Sequence, residues 1–419
     1  MSAELLSYAE ADALVAAFAR ERIRERSENG PAAEHVALAD AEGRVLAEPV
    51  VADQDQPSFA RSTRDGFACR AAEASAHEFL RVAGLTHAGE APAGPLPAKT
   101  MWEIMTGAPI PEGADAVVMI EHVERDRDRV RLVPDRRIKS GDNIVERGAQ
   151  AQRGDALITA GVVVGPAQIA LAASCGAAKL AVFRRPRVAI LTTGDELVSV
   201  EQEPGPGQIR NSNAPMLAAL VATAGGEPHV LPRAADTAEA LEDAIRDALD
   251  SDLLLISGGV SAGKHDLVEP ALARFGATFH FTGIRIQPGK PLVFGEAPRA
   301  GRVSLPFFGL PGNPISSAAT FLLFASQVLK ALAGREDFRP QFLVALLAKE
   351  TDRKGKAGLT RFLPACCGFD SGSEIPNVAT VPWHGSGDLP AFARANCFVV
   401  IPEEKAILDA GTMVHVLMI

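Results

Sequence analysis

Between Arg187 and Gly334, short apolar runs and amphipathic stretches take turns along the chain. RVAILTTGDEL (187–197) reads as a buried strand running into a loop, and APMLAALVATAGG (214–226) as a helix closed by glycines. TAEALEDAIRDALD (237–250) is a second helix, DLLLISGG (252–259) a strand into a loop, and DLVEPALARFG (266–276) a third helix. ATFHFTGIRI (277–286) follows as a strand, PFFGLPGNP (306–314) as a strand into a loop, and PISSAATFLLFASQVLKALAG (314–334) as a helix. Runs that are apolar throughout, without a polar alternate face, belong to strands covered on both sides. A multidomain α/β chain is expected, its centre a doubly wound, largely parallel sheet that binds ligands where its strands end.

The rhythm differs on either side. Residues 3–26 carry a helical pattern that places Leu5, Ala9, Ala13 and Ala17 on one face and Arg and Glu opposite. Residues 35–53 read as short strands around a Glu42-Gly43 turn. Segments such as GEAPAGPLPAKT and TGAPIPEGAD make 57–140 rich in Gly and Pro, the mark of a small β-rich unit with long loops. Strand and helix return over 141–184, so the β-rich piece reads as an insertion. From Arg339 on, QFLVALLAKE, CFVVIP and MVHVLMI are strand-like. The expected division is 1–54 with 140–184 as a linker and dimerisation domain, 55–139 as the inserted β-rich domain, 185–334 as the α/β domain and 335–419 as a β-rich C-terminal domain.

Composition narrows the partners. With 42 basic against 52 acidic residues the net charge is −10, and aromatics make up 5 %; neither suits a nucleic-acid surface or a base-stacking platform. Five cysteines without CxxC spacing read as free thiols of a reducing compartment, and the nine scattered histidines form no zinc pattern. Residues 156–178 hold no charge, but their glycines and the helix start at Gly165-Pro166 favour a buried strand, turn and helix over a membrane span. The N-terminus lacks the order of a signal peptide, so a cytoplasmic protein is expected, with no membrane partner.

Four strand exits carry the candidate chemistry. At the first, Gly194 precedes Asp195 and Glu196; the acidic pair either holds Mg²⁺, which takes one or two carboxylates plus phosphate oxygens, or leaves Asp195 as a helix cap. At the second, Ser257, Gly258 and Gly259 let backbone approach a ligand, Ser261 and free N–H groups can receive an anion, and Lys264 adds charge. Asp266 there is either the N-cap of the next helix or a metal contact, and His265 has no assigned role. In the third, Pro288, Gly289 and Pro291 present Lys290 from a stiff turn, suited to phosphate; a surface-turn lysine is the plain alternative. The fourth, Pro311-Gly312-Asn313-Pro314, starts a helix with Asn313 as N-cap and Pro314 in the first turn. No Walker loop, GxGxxG or GxSxG accompanies them.

Taken together and in order, these loops resemble the molybdopterin molybdenumtransferase family, which includes the C-terminal part of gephyrin. The residues carrying the likeness are Ser62–Ala68 (STRDGFA), MTGAPIPEGADAVVMIE at 105–121, GDNI at 141–144, TTGDEL at 192–197 and GQIRNSN at 207–213. SGGVSAGKHD, QPGKP, FFGLPGNP and the loop Gly385–Asp388 complete the set, which spans roughly 30–415. The resemblance implies an enzyme of molybdenum cofactor synthesis that takes adenylylated molybdopterin and molybdate, releases AMP and uses Mg²⁺. It implies catalytic roles for Asp65, Thr106, Asp195, Glu196, Asp266 and Lys290, with Asp195, Glu196 and Asp266 as the metal ligands. It extends substrate binding to Asn211, and to Arg361 and Ser386 for the pterin phosphate. It also implies a homodimer in which the inserted domain, with Asp65 and Thr106, approaches the partner's crevice, and contacts with an adenylyltransferase or a molybdoenzyme. Gln287 stands where many members carry a second Lys, and Arg64 where Met is frequent. The competing readings are the related adenylyltransferase, which lacks the extra domains, and a non-catalytic molybdopterin-binding scaffold.

Overall fold

The computed structural model describes residues 5–29, 33–260, 267–351 and 358–419, with backbone only for 26–29. The fold is mixed α/β, built around three six-stranded sheets, one of which closes into a barrel. The α/β sheet comprises β1 (Arg187–Thr192), β2 (Glu227–Val230), β3 (Leu253–Ser257), β4 (Thr278–Thr282), β5 (Val293–Arg299) and β6 (Arg302–Leu310). Their order is β2-β1-β3-β6-β5-β4, with the first three pairings parallel and the last two antiparallel. Helices α1 (Asn213–Thr223), α2 (Ala238–Ala248) and α3 (Val268–Arg274) connect the parallel strands. After β6 the chain enters α4 (Pro314–Leu332), whose middle turn Phe321–Ala325 is a π-helix.

The continuous apolar runs are explained by the two-sided burial. On β1, Val188 and Ile190 face one core with α1 and α4, while Ala189 and Leu191 face the other with α2 and α3. β3 splits the same way, Leu253 and Leu255 against Leu254 and Ile256. Successive side chains of a strand point to opposite faces, so a strand with two covered faces has no polar alternate. Helix α4 is long and apolar enough to cross a bilayer, but 83 % of its most apolar window is buried inside this fold.

The N-terminal helix runs Tyr8–Asn29 and packs on α4, but not by the alanine face its sequence suggested. Ala9, Ala13 and Ala17 are exposed, whereas Ala11, Val15, Ala16 and Ala19 are buried, with Leu14 and Phe18 packed against the core. Alanine gains little by burial, so the bulkier Leu14, Val15 and Phe18 set the rotation. Tyr8 meets the rings of Phe324 and Phe362 edge-on, at 5.9 and 5.3 Å, and so links the α/β core to the barrel.

The barrel strands are Phe342–Leu347, Thr360–Gly368, Asn377–Thr380, Cys397–Ile401 and Met413–Met418. Thr360–Gly368 pairs with both Asn377–Thr380 and Cys397–Ile401, which closes the sheet. Gln287, opening the QPGKP turn, pairs in parallel with Arg361 and ties the barrel to the α/β sheet. The remaining sheet lies within Gly66–Leu132. Before and after it the chain pairs with itself, Ala33–Ala37 with Lys179–Phe183 and Val50–Val51 with Ala156–Ile158, over one small core.

Candidate functional site

Parallel pairing sends the exits of β1, β3 and β6 to the same end of the sheet, where they bound a crevice of about 620 Å³. Thr192–Gly194, Glu196, Ser257–Val260 and Pro311–Pro314 line it, as do Asn211 and Asn213 at the head of α1. The exits are bonded to one another: Thr193 N–H donates to Ser257 O at 3.1 Å, and Gly258 N–H to Leu310 O at 3.1 Å.

The first wall needs its glycine. Gly194 has φ +142°, a conformation L side chains rarely adopt, while the atom nearest a Cβ there is the movable Glu196 Oε1 at 2.7 Å. No helix follows Asp195; the chain turns into the short strand Leu197–Val198 instead, so the capping alternative does not apply. Asp195 points away from the crevice into a neighbouring hollow lined also by Arg233, whose Nη1 donates to Gly194 O at 2.9 Å and lies 3.5 Å from Asp195 Oδ1. The crevice receives Asp236 in its place. Asp236 accepts from Thr193 Oγ1, and from Asp195 N–H at 3.3 Å.

Asn213 is the keystone between the other two walls. It is 8 % exposed, and its Nδ2 donates to Ser257 Oγ at 2.8 Å and to Gly312 O at 2.7 Å. Asn211 sits beside it, donating to Thr192 Oγ1 at 2.9 Å and accepting from Ala214 N–H. Asn213→Ala removes both donors, and a buried acceptor left unpaired costs about 1–3 kcal/mol. A loss of unfolding free energy of that size, read by urea denaturation, is expected; an unchanged value would mean the amide does not join the walls.

The fourth exit starts α4 as anticipated, with Asn313 extended at the N-cap and Pro314 in the first turn, though Asn313 makes no side-chain cap bond. Ile315 N–H is taken by Ser386 O at 3.0 Å, which brings the Gly385–Asp388 loop to the crevice rim, and Gly387 lines it. Ser386 itself, half-buried, is not among the lining residues.

Other expected residues lie elsewhere. Pro288 and Gly289 are buried under the QPGKP turn and Lys290 is exposed; Pro291, one residue on, reaches the crevice. Arg361 is 3 % exposed and donates to Ala406 O within the barrel region, so its guanidinium is committed there. Asp65 and Thr106 meet in loops at one end of the Gly66–Leu132 sheet, where Asp65 Oδ1 accepts from Thr106 N–H at 2.6 Å and Oγ1 at 2.8 Å. These two bonds hold the Asp65 carboxyl below its usual range. Neither residue lines the crevice of its own chain. Ser261, Lys264, His265 and Asp266 lie outside the described residues.

Chemically, the crevice offers amides, hydroxyls, close backbone and two carboxylates, Glu196 and Asp236. Arg210 is the one cation among its described lining residues.

Three family descriptions match along the chain: "MoeA N-terminal region (domain I and II)" over 6–176, "Probable molybdopterin binding domain" over 189–331 and "MoeA C-terminal region (domain IV)" over 348–419. A Bacillus subtilis protein named molybdopterin molybdenumtransferase is 35 % identical over 92 % of this chain and 90 % of its own length. One of the same name from Haemophilus influenzae is 32 % identical over 91 % and 93 %. Two crystal structures of the molybdopterin biosynthesis MoeA protein of Pyrococcus horikoshii superpose with TM-scores of 0.76 and 0.80, at 31 % and 28 % identity, each covering 99 % of this chain and 99 % or more of its own.

Proposed function

The chain belongs to the molybdopterin molybdenumtransferase family, and from that premise we propose that its crevice inserts molybdate into adenylylated molybdopterin and releases AMP. One observation carries the placement: polar, glycine-bearing exits of three parallel strands bound a single crevice of about 620 Å³. Its size suits an extended small molecule, since such pockets run to roughly 300–1,000 Å³.

The reaction needs no protein nucleophile. A molybdate oxygen attacks the adenylate phosphorus and the phosphoanhydride bond breaks, leaving molybdopterin and an adenylyl-molybdate anhydride; the two dithiolene thiols then displace AMP and one oxo group, which leaves as water with their protons. The chain's part is to hold polyanions in line and offset their charge. Gly258 and Gly259 admit the ligand against backbone, and Ser257 and Asn313 supply polar contacts, with Asn211 and Asn213 behind them. Lys264 and Lys290 remain proposed contributors of positive charge.

Mg²⁺ fits this donor set. No cluster of three or more metal-binding side chains exists among the described residues, but Mg²⁺ takes one or two carboxylates and completes its shell with water and phosphate oxygens. Glu196 and Asp236 would hold it, with Asp266 the remaining candidate; Asp195 is better placed to position Asp236, whose N–H its Oδ1 accepts at 3.3 Å. When bound, Mg²⁺ would neutralise phosphate oxygens and polarise the anhydride.

The proposal extends to the four-domain division given above, a cytoplasmic location and a homodimer. In the dimer, Asp65 and Thr106 of one subunit would serve the other's crevice. An adenylyltransferase would deliver the substrate and a molybdoenzyme would receive the product. Cofactor synthesis tests the reading. Protein, adenylylated molybdopterin, molybdate and Mg²⁺ are expected to yield a product that activates a molybdenum-free apoenzyme. Formation of the adenylylated adduct from ATP and molybdopterin would instead assign the adenylyltransferase activity.

A further inference from the structure

A second cavity, of about 260 Å³, lies on the seam where the Glu42–Val45 turn, the Phe183–Arg185 segment and the end of α1 meet. Four arginines, Arg44, Arg184, Arg185 and Arg335, line it, with one acidic residue, Glu42. Three of these arginines carry carboxylate partners just outside the lining, Glu34, Asp252 and Asp337, so Arg185 is the cation set against Glu42.

Carboxylates and backbone carbonyls hold three of the four arginines. Arg44 donates to Glu34 and to Phe183 O at 2.9 Å, and Arg184 to Asp252 at 2.8 Å. Arg335 grips Asp337 through Nε and Nη2 at 2.9 and 2.7 Å. These bonds fix the planar forks and, among the described residues, leave donors over: Arg44 spends only Nη2, and Arg335 keeps Nη1. Arg185 is exposed and makes no side-chain hydrogen bond or ion pair among the described residues. Lys330 stands close by, held below the ordinary lysine range by burial first and then by the charge of Arg335.

Capping of α1 does not explain the cluster. The helix's last carbonyls are taken by backbone: Ala224, Gly225 and Gly226 N–H donate to Leu220, Ala222 and Val221 O, at 3.0, 3.1 and 2.9 Å. No described arginine donates to them.

We propose that this arginine seam is a binding site for a small tetrahedral oxyanion, separate from the crevice. Guanidinium is weakly hydrated, always charged and shaped to chelate such oxygens in pairs, and immobilised forks lose little freedom on binding. The volume of about 260 Å³ lies at the small end of ligand pockets, which run to roughly 300–1,000 Å³, and is ample for an oxyanion. Molybdate, phosphate and sulfate share the chemistry.

Equilibrium dialysis of the full chain with each of the three oxyanions tests the site, using Arg185→Glu and, as a crevice control, Glu196→Gln. Binding of at least one oxyanion should weaken tenfold or more in Arg185→Glu, be partly restored in Arg185→Lys, and persist in Glu196→Gln. Molybdate-dependent AMP release at saturating substrate should survive Arg185→Glu. Oxyanion binding that Arg185→Glu leaves unchanged, or no binding of any of the three to folded protein, overturns the seam site and leaves the crevice reading untouched.

Discussion

Glu196→Gln should lower the turnover of molybdate-dependent AMP release by about 10²–10³-fold while leaving the unfolding midpoint within about 0.5 kcal/mol of wild type. The two halves of that expectation have separate causes. The Glu196 side chain is exposed to the crevice and makes no hydrogen bond or ion pair among the described residues, so the fold does not rest on it. Gln keeps its size and removes only the charge. In a crevice whose described lining has two carboxylates and one arginine, that charge is half of what could recruit a divalent metal to the phosphates. Steady-state AMP release and a denaturation curve on the same preparation check both halves. Near-wild-type turnover would remove Glu196 from the site.

Gly258→Ala should fail in the opposite way, through structure first. Gly258 has φ +97°, and a Cβ there would sit 2.5 Å from the carbonyl oxygen of Thr193. Left-handed backbone costs an L-residue about 1–2 kcal/mol, and forcing an extra carbon into packed surroundings about 1–3 more, so a loss of roughly 2–5 kcal/mol is expected. Because the new methyl meets a backbone carbonyl and not a movable side chain, relief requires the β1 and β3 exits to part, and turnover should fall with stability. Gly207→Ala is the control: φ is +79° but nothing lies within 4 Å, so only the first cost, about 1–2 kcal/mol, should appear. Equal losses in the two variants, read by urea denaturation, would show that close approach at Gly258 is not what the crevice depends on.

The sequence made the crevice legible where its signal is local. An apolar run that breaks into Gly and polar residues marks a strand exit, and Ser257–Gly259 and Pro311–Pro314 lie where that pattern put them. Asp236 was hidden because its signal is topological. In the chain it merely precedes the helix start at Thr237, and only the parallel pairing of β2 with β1 brings its loop to the same end of the sheet. Asn213 closes the GQIRNSN stretch, but its bridging role is hidden for a similar reason, since its acceptors come from Ser257 and Gly312, far along the chain. The hairpin of β5 and β6 has only the Ala300-Gly301 turn, with Gly301 at φ +67°, as its cue in the sequence. The exposed Ala9, Ala13 and Ala17 show the converse failing: periodicity in alanine alone does not fix which face is buried.

The most direct measurement is AMP released from adenylylated molybdopterin by the wild-type protein, with and without molybdate, in the presence of Mg²⁺. Release that requires molybdate and continues over many turnovers is the predicted result. Release at the same rate without molybdate, or none under either condition, would contradict the assignment of molybdenum transfer to this crevice.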